Sequence, residues 1–334
     1  MLLSRTAEDL YWLGRHVERA ESVARIVDEH TQLLVDLPVD VESDWTALLA
    51  ITGAEDGFAE RYEHHGEAEV VNFLMADVGN PGSVLRSVNA ARENLRVSRQ
   101  MVPRAGWECL NRLHLTATEA TAGCTVRTRR TEVSADIIGA CQQLAGILAG
   151  TMSRDHAYRF WELGRQVERA DMTTRVLDVR AGTLMSAGAP PTHPPADRSP
   201  YEDVRWLGVL RSLAAQNMYH RSSSTSVHGE GVVAFLLDDP EFPRSVAHCA
   251  AEIERTLAEL PEREEPLASV GELRTAIGAR PRGAPSAEHL HAHVDLLQDA
   301  LGELHDSLCT AYFRLADPAE HPGAIATRST AATV

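Results

Sequence analysis

Gly14-Arg15-His16-Val17-Glu18-Arg19-Ala20-Glu21 returns 150 residues later as Gly164-Arg165-Gln166-Val167-Glu168-Arg169-Ala170-Asp171, with six of the eight positions identical. The agreement runs on at the same offset through Arg25 and Arg175, Asp28 and Asp178, and Leu34 and Leu184. A match of this length at constant spacing predicts an internal duplication, so the rest of the chain is read for a repeated order of parts.

Around the first copy, Leu10, Leu13, Val17, Ala20, Ala24 and Val27 recur every three or four residues, which predicts one apolar face of a long helix. Arg15, Glu18, Ser22, Arg25 and Glu29 fall on the other side, and Thr6 with Asp9 three residues on resembles a helix cap. A second helix is expected from Asp44 to about Tyr62, with Gly53 and Gly57 each weakening it by ~1 kcal/mol relative to alanine. Val70 to Leu74 is short enough to be strand or helix. Clearer helices follow over Val84 to Leu95, Trp107 to Thr118 and Val133 to Ile147.

After the second copy the order repeats. Val232 to Leu236 answers Val70 to Leu74, and Pro243-Arg244-Ser245-Val246 answers Pro81-Gly82-Ser83-Val84, both at an offset of 162. The proline-rich stretch 187–200 absorbs most of that drift and is expected to be a linker or exposed loop. Val294, Leu297, Leu301, Leu304 and Leu308 predict the final helix, and residues 317–334 a frayed tail. No sustained alternation predicts a strand. The expected fold is all-α, an internally duplicated helical bundle of two halves (1–150 and 151–316), each of about five helices, packed as one body.

The totals restrict function. A formal net charge of -16 on 334 residues argues against general nucleic-acid binding, which needs a basic surface. Five cysteines without close pairs suit a reducing cytosol, so a cytoplasmic protein is expected. The first twelve residues carry Arg5, Glu8 and Asp9, which fits neither a signal peptide nor a membrane span.

Chemistry centres on the doubled element. Arg15, Glu18 and Arg25, flanked by Arg19, line one helix side, as do Arg165, Glu168 and Arg175, flanked by Arg169. Should the two faces meet, guanidinium groups can hold a carboxylate or phosphate, and Glu18 or Glu168 can orient or deprotonate an amine. The competing reading is a buried structural ion-pair network between the halves. Arg92, Glu93, Arg96 and Arg99 form a second charged group, whose counterpart around Glu252 and Glu254 is acidic. Glu288 and His291 supply one Glu-x-x-His pair where a helical di-metal site needs two, so no metal ligands are assigned.

The run from Leu3 to Glu21 resembles the start of the alpha-E domain family. Asn80-Pro81-Gly82-Ser83, Ala91-Arg92-Glu93-Asn94, Trp107-Glu108-Cys109-Leu110-Asn111, Thr151-Met152-Ser153 and Phe242-Pro243-Arg244-Ser245 carry the same resemblance. It implies a helical protein working beside a circularly permuted ATP-grasp protein, with transglutaminase-like proteins also frequent neighbours. The implied activity is ATP-dependent amide ligation or modification of small peptides, with ATP bound by the partner rather than by this chain. Carried onto this sequence, Glu18 and Glu168 are the implied catalytic positions. Arg15, Arg19, Arg92, Glu93, Asn111, Arg165 and Arg169 are implied to bind an aminoacyl or peptidyl substrate. Leu148 and Ala149 depart from the family, which has polar residues there. The rival expectations are a non-catalytic scaffold for the ATP-grasp ligase and a metal-dependent helical enzyme.

Overall fold

A computed structural model describes residues 3–36, 44–186, 202–222, 227–280 and 286–313. The expected loop 187–200 and tail 317–334 lie outside the described residues. Those that are described form fourteen α-helices and no strand.

Two long helices, α1 (Ser4–Asp36) and α8 (His156–Ser186), make the centre of the molecule. They touch at glycines. A Cβ on Gly14 would lie 2.2 Å from the carbonyl oxygen of Trp161, and one on Gly164 only 1.9 Å from that of Tyr11. Glycine inside a helix costs about 1 kcal/mol relative to alanine. Here it lets two backbones meet where any side chain would hold them apart. One turn further along, Glu18 meets Arg165 and Arg169, so the two helices run in the same direction.

Around this pair the remaining helices form two sets. α2 (Thr46–Thr52), α3 (Glu55–Ala59), α4 (Glu67–Met75), α5 (Val84–Val97), α6 (Arg104–Ala120) and α7 (Arg127–Thr151) follow α1. α9 (Glu202–Ser212), α10 (Gln216–Ser222), α11 (Gly229–Asp238), α12 (Val246–Leu257), α13 (Glu264–Gly278) and α14 (Ala287–Leu308) follow α8. α5 and α7 pack on α1 with α6 covering both, while α12 and α14 pack on α8 with α13 covering both. The short helices cross over: α2 lies against α8, and α9 against α1. Ser83 starts α5 by accepting a hydrogen bond from the Arg86 N–H at 3.1 Å, and Ser245 starts α12 in the same way from the His248 N–H at 3.0 Å. α7 is long and apolar enough to cross a membrane by length and composition. Val133, Ile137, Cys141, Leu144 and Leu148 bury its inner face in this bundle.

Several expectations need correction. α1 begins at Ser4, so Thr6 lies within its first turn rather than capping it. The helix expected from Asp44 to Tyr62 is two, because Gly53 adopts φ 61° and its N–H closes the end of α2. Val70 to Leu74 belong to helix α4. Seven helices, not five, follow from each long helix inclusive, the unexpected ones including α10 and α13. The polar side of α1 is enclosed, as a meeting of the two charged faces requires: from Leu10 to Ala24 every residue is buried.

Gly164→Ala should therefore be strongly destabilising, at or above the ~1–3 kcal/mol typical of overpacking, because the obstruction is backbone. Gly139→Ala, where a Cβ meets nothing within 4 Å, should be neutral or stabilising by up to ~1 kcal/mol. Urea denaturation of the two variants tests the contrast.

Candidate functional site

The repeated charged residues meet between α1 and α8, just beyond the glycine contact. Glu168 accepts from Arg19 through both oxygens, at 2.5 Å from Nε and 2.9 Å from Nη2, and from Arg15 Nε at 2.6 Å. Glu18 accepts from Arg169 in the same bidentate way, at 3.0 and 2.8 Å, with Arg165 Nε further off at 3.7 Å. Glu168 is 0% and Glu18 2% exposed, so water does not share these pairs. Six of the nine residues singled out by sequence thus come together as one reciprocal clamp.

The two glutamates are strong anions. Burial pushes Glu168 up, but the guanidinium groups of Arg19 and Arg15 outweigh it and hold the carboxyl at about 2. Glu18 is likewise held well below the carboxylate range, burial being outweighed by Arg169, Arg244 and Arg165. A base this weak has little driving force to take a proton near neutral pH. Holding arginines is what the geometry suits.

Arg244, which sequence reading did not assign to the site, completes the Glu18 side. It donates from Nη1 to Glu18 at 2.6 Å and from Nη2 to Glu21 at 2.8 Å. Glu21 also accepts from Arg25 at 2.7 Å and from Gln142 at 3.3 Å. A signal was present in the sequence: Arg244 is the one position where Pro243-Arg244-Ser245-Val246 differs from Pro81-Gly82-Ser83-Val84.

On the Glu168 side lies a pocket of about 300 Å³ between α1, α8 and α14. Arg15, Arg19 and Arg175 line its floor, and Asp299, Glu303 and Asp306 come from α14. Asp171 also faces it, accepting from Arg175 at 2.8 Å, with Arg15 Nη2 at 3.7 Å. His305, hydrogen-bonded to the Tyr11 hydroxyl at 2.8 Å, is a neutral imidazole; burial and then Arg15 push it down to about 3.

Arg92, Glu93 and Asn111 are placed elsewhere, on the α5–α6 face. Arg92 Nε donates to Asn111 Oδ1 at 3.0 Å, and its guanidinium lies 5.5 Å from the Trp107 ring centre. Glu93 accepts from Arg96 at 2.7 Å and is exposed. Their interactions run within α5 and α6 rather than to the clamp. On α14, His293 is buried. His291 is exposed, 2.6 Å from Asp178 and near Asp295. The ligand atoms of those three lie within 4.8 Å of one another, the grouping among the described residues most able to hold a metal ion.

This chain belongs to the Alpha-E family, described as a predicted alpha-helical domain with a conserved ER motif, which it matches over residues 2–313. Among its Glu-Arg pairs, Glu18-Arg19 and Glu168-Arg169 are the two that build the clamp. Similar curated proteins are uncharacterized ones from Mycobacterium bovis and from two strains of Mycobacterium tuberculosis, each 24% identical over 280 residues. The match takes in 77% of this chain and 30% of each relative, so the chain spans less than a third of their length. No solved structure matches it.

Glu168→Gln removes the buried carboxylate charge that Arg15 and Arg19 both donate to and should cost about 3–5 kcal/mol at neutral pH. Because its folded pKa lies near 2 and its ordinary value is 4.5, Glu168 contributes stability above pH 4.5 that is lost as pH falls towards 2. Urea denaturation across that window should show the wild-type lead over Glu168→Gln shrinking with acid.

Proposed function

We propose that the chain is two copies of one helical unit and that it binds a small aminoacyl or peptidyl substrate in the pocket between α1, α8 and α14. The substrate is then presented to an ATP-grasp partner that forms the amide bond. Matching order and packing support the duplication: α1 with α5, α6 and α7 answers α8 with α12, α13 and α14, and the short helices α2 and α9 are exchanged between the two sets. The first unit ends near residue 150 and the second near 316.

One observation carries the binding role. A cavity of about 300 Å³ is lined by a wall of α1 and α8 that carries Arg15, Arg19, Arg175 and Asp171 and a wall of α14 that carries Asp299, Glu303 and Asp306. Such a wall pair offers donors to a carboxylate and acceptors to an ammonium group, which is what a zwitterion needs. Glu18 and Glu168 act here as positioning residues, each fixing the arginines around it, rather than as bases. The ATP-grasp protein, and with it ATP, follows from the family resemblance, as does a transglutaminase-like neighbour; a cytoplasmic setting fits five free cysteines. The scaffold reading differs in having no substrate in the pocket.

Calorimetric titration with short peptides and amino acids should show binding to the wild-type chain. Gly302, which lines the pocket from α14, offers a way to fill it: Gly302→Trp should weaken binding about tenfold or more with the helical circular-dichroism signal kept. Product formation from ATP, amino acids and the ATP-grasp protein should fall with it, as read by mass spectrometry. A wild-type chain that binds no peptide or amino acid yet supports full ligation would leave only the scaffold.

A further inference from the structure

Taken as two copies, the helical units allow the pocket to be compared with the same place on the other side of the α1–α8 pair. The buried positions of α5 and α12 coincide at a shift of 162: Val84 with Val246, Ser87 with Cys249, Ala91 with Ile253 and Leu95 with Leu257. Those of α7 and α14 coincide at 160: Ser134 with Val294, Ile137 with Leu297, Cys141 with Leu301 and Leu148 with Leu308. In these registers Gly82 stands where Arg244 stands, and Gly302 stands where Gln142 does. Asp171 answers Glu21.

Glu21 accepts from three donors, Arg25, Arg244 and Gln142. Asp171 keeps the first, as Arg175 at 2.8 Å. Glycines replace the other two, and the acid itself is one methylene shorter. Gly302 and Asp171 line the pocket, so it occupies the place of the glutamine on the other side, and in the matched register an arginine at position 82 would reach toward it as Arg244 reaches toward Glu21. Charge points the same way. Arg15 and Arg19 share the single carboxylate of Glu168, and Arg175 pairs with Asp171, which leaves one positive charge over. Asp299, Glu303 and Asp306 face the same space and hold no ion pair among the described residues. Three carboxylates against one surplus guanidinium make the net charge around the pocket negative.

We propose that the pocket takes its ligand through a guanidinium or primary ammonium group, set against Asp171 and the α14 carboxylates in the place that Arg244 fills on the other side. Resting on the peptide-binding reading above, this makes the substrate one with a basic side chain. A guanidinium supplies paired N–H donors at the spacing of two carboxylate oxygens, as Arg244 does to Glu18 and Glu21.

The test is calorimetric titration with alanyl-arginine, agmatine and dialanine. Alanyl-arginine and agmatine should each bind about tenfold or more tightly than dialanine. Gly82→Arg should restore the missing arginine from within. A Cβ there meets only Asn80 Oδ1, at 3.5 Å, so the side chain has room to start. This variant should lose agmatine about tenfold or more, whereas Gly82→Ala keeps it. If Gly82→Arg does not fold, the Asp299→Asn, Glu303→Gln double variant should lower affinity for agmatine more than for dialanine. Dialanine binding as tightly as the basic ligands, or a folded Gly82→Arg that binds agmatine unchanged, overturns this inference and leaves peptide binding standing. No binding by any of the three overturns both.

Discussion

The contact between two helix backbones at Gly14 and Gly164 governs what surrounds it. Backbones this close exclude water from the next turn of both helices, and that turn carries Glu18-Arg19 and Glu168-Arg169. Ions left dry must neutralise one another, since an unpaired buried charge costs several kcal/mol. A carboxylate has acceptor sites enough for one bidentate arginine and a further donor. Glu168 uses them on Arg19 and Arg15, and Glu18 on Arg169 and Arg244. Hydrophobic residues of the same bulk can be as stable. What the ion pairs add is register: sliding one helix by a turn would separate every pair at once.

From that contact follows the arrangement of the outer helices. With one side of α1 given to α8, its remaining surface is left for α5, α7 and α9, and it ends up buried on all sides. α8 is enclosed in the same manner by α12, α14 and α2. Exchange of α2 and α9 ties the two sets together, so neither can be peeled away without uncovering the other's long helix. The pocket then lies where α14 reaches the clamp, on rigid helices rather than on loops. Placement on helices suits a site whose charged groups have to be held in fixed positions.

Helical periodicity made the class of fold and the long central helices legible, and the doubled motif pointed to the residues of the clamp. Its limits have physical causes. A period of 3.6 separates apolar from polar faces, but it does not say whether the polar face of α1 meets a ligand or, as it does, charges on another helix. α13 buries Pro266, Val270, Leu273 and Ile277 but opens on Glu264 and Glu265 and carries Glu272 among them, which masks so short a stripe. Arg92, Glu93 and Asn111 share the charged character of the clamp without its location, because sequence spacing fixes a helix face and not which neighbour that face meets. Asp299, Glu303 and Asp306 look like the ordinary outer face of a last helix. Only the fold shows that they line one pocket with Arg15.

Arg244 shows the same limit and a way around it. Its bond to Glu18 spans 226 residues, beyond any local pattern, yet its sequence position is marked by a glycine in the matching segment. If the chain is two copies of one unit, as proposed, both copies present their charged residues about one shared helix pair. If both sides were filled, the molecule would be more stable and would bind nothing. If both were empty, more buried carboxylate would go without donors, at a cost of roughly 1–3 kcal/mol for each unsatisfied group. One side filled by Arg244 and Gln142 and the other lined by Gly302 keeps the clamp anchored while leaving a cavity beside it. On the proposed reading, duplication made this division possible, because a single copy of the unit would have had to serve both ends with the same residues.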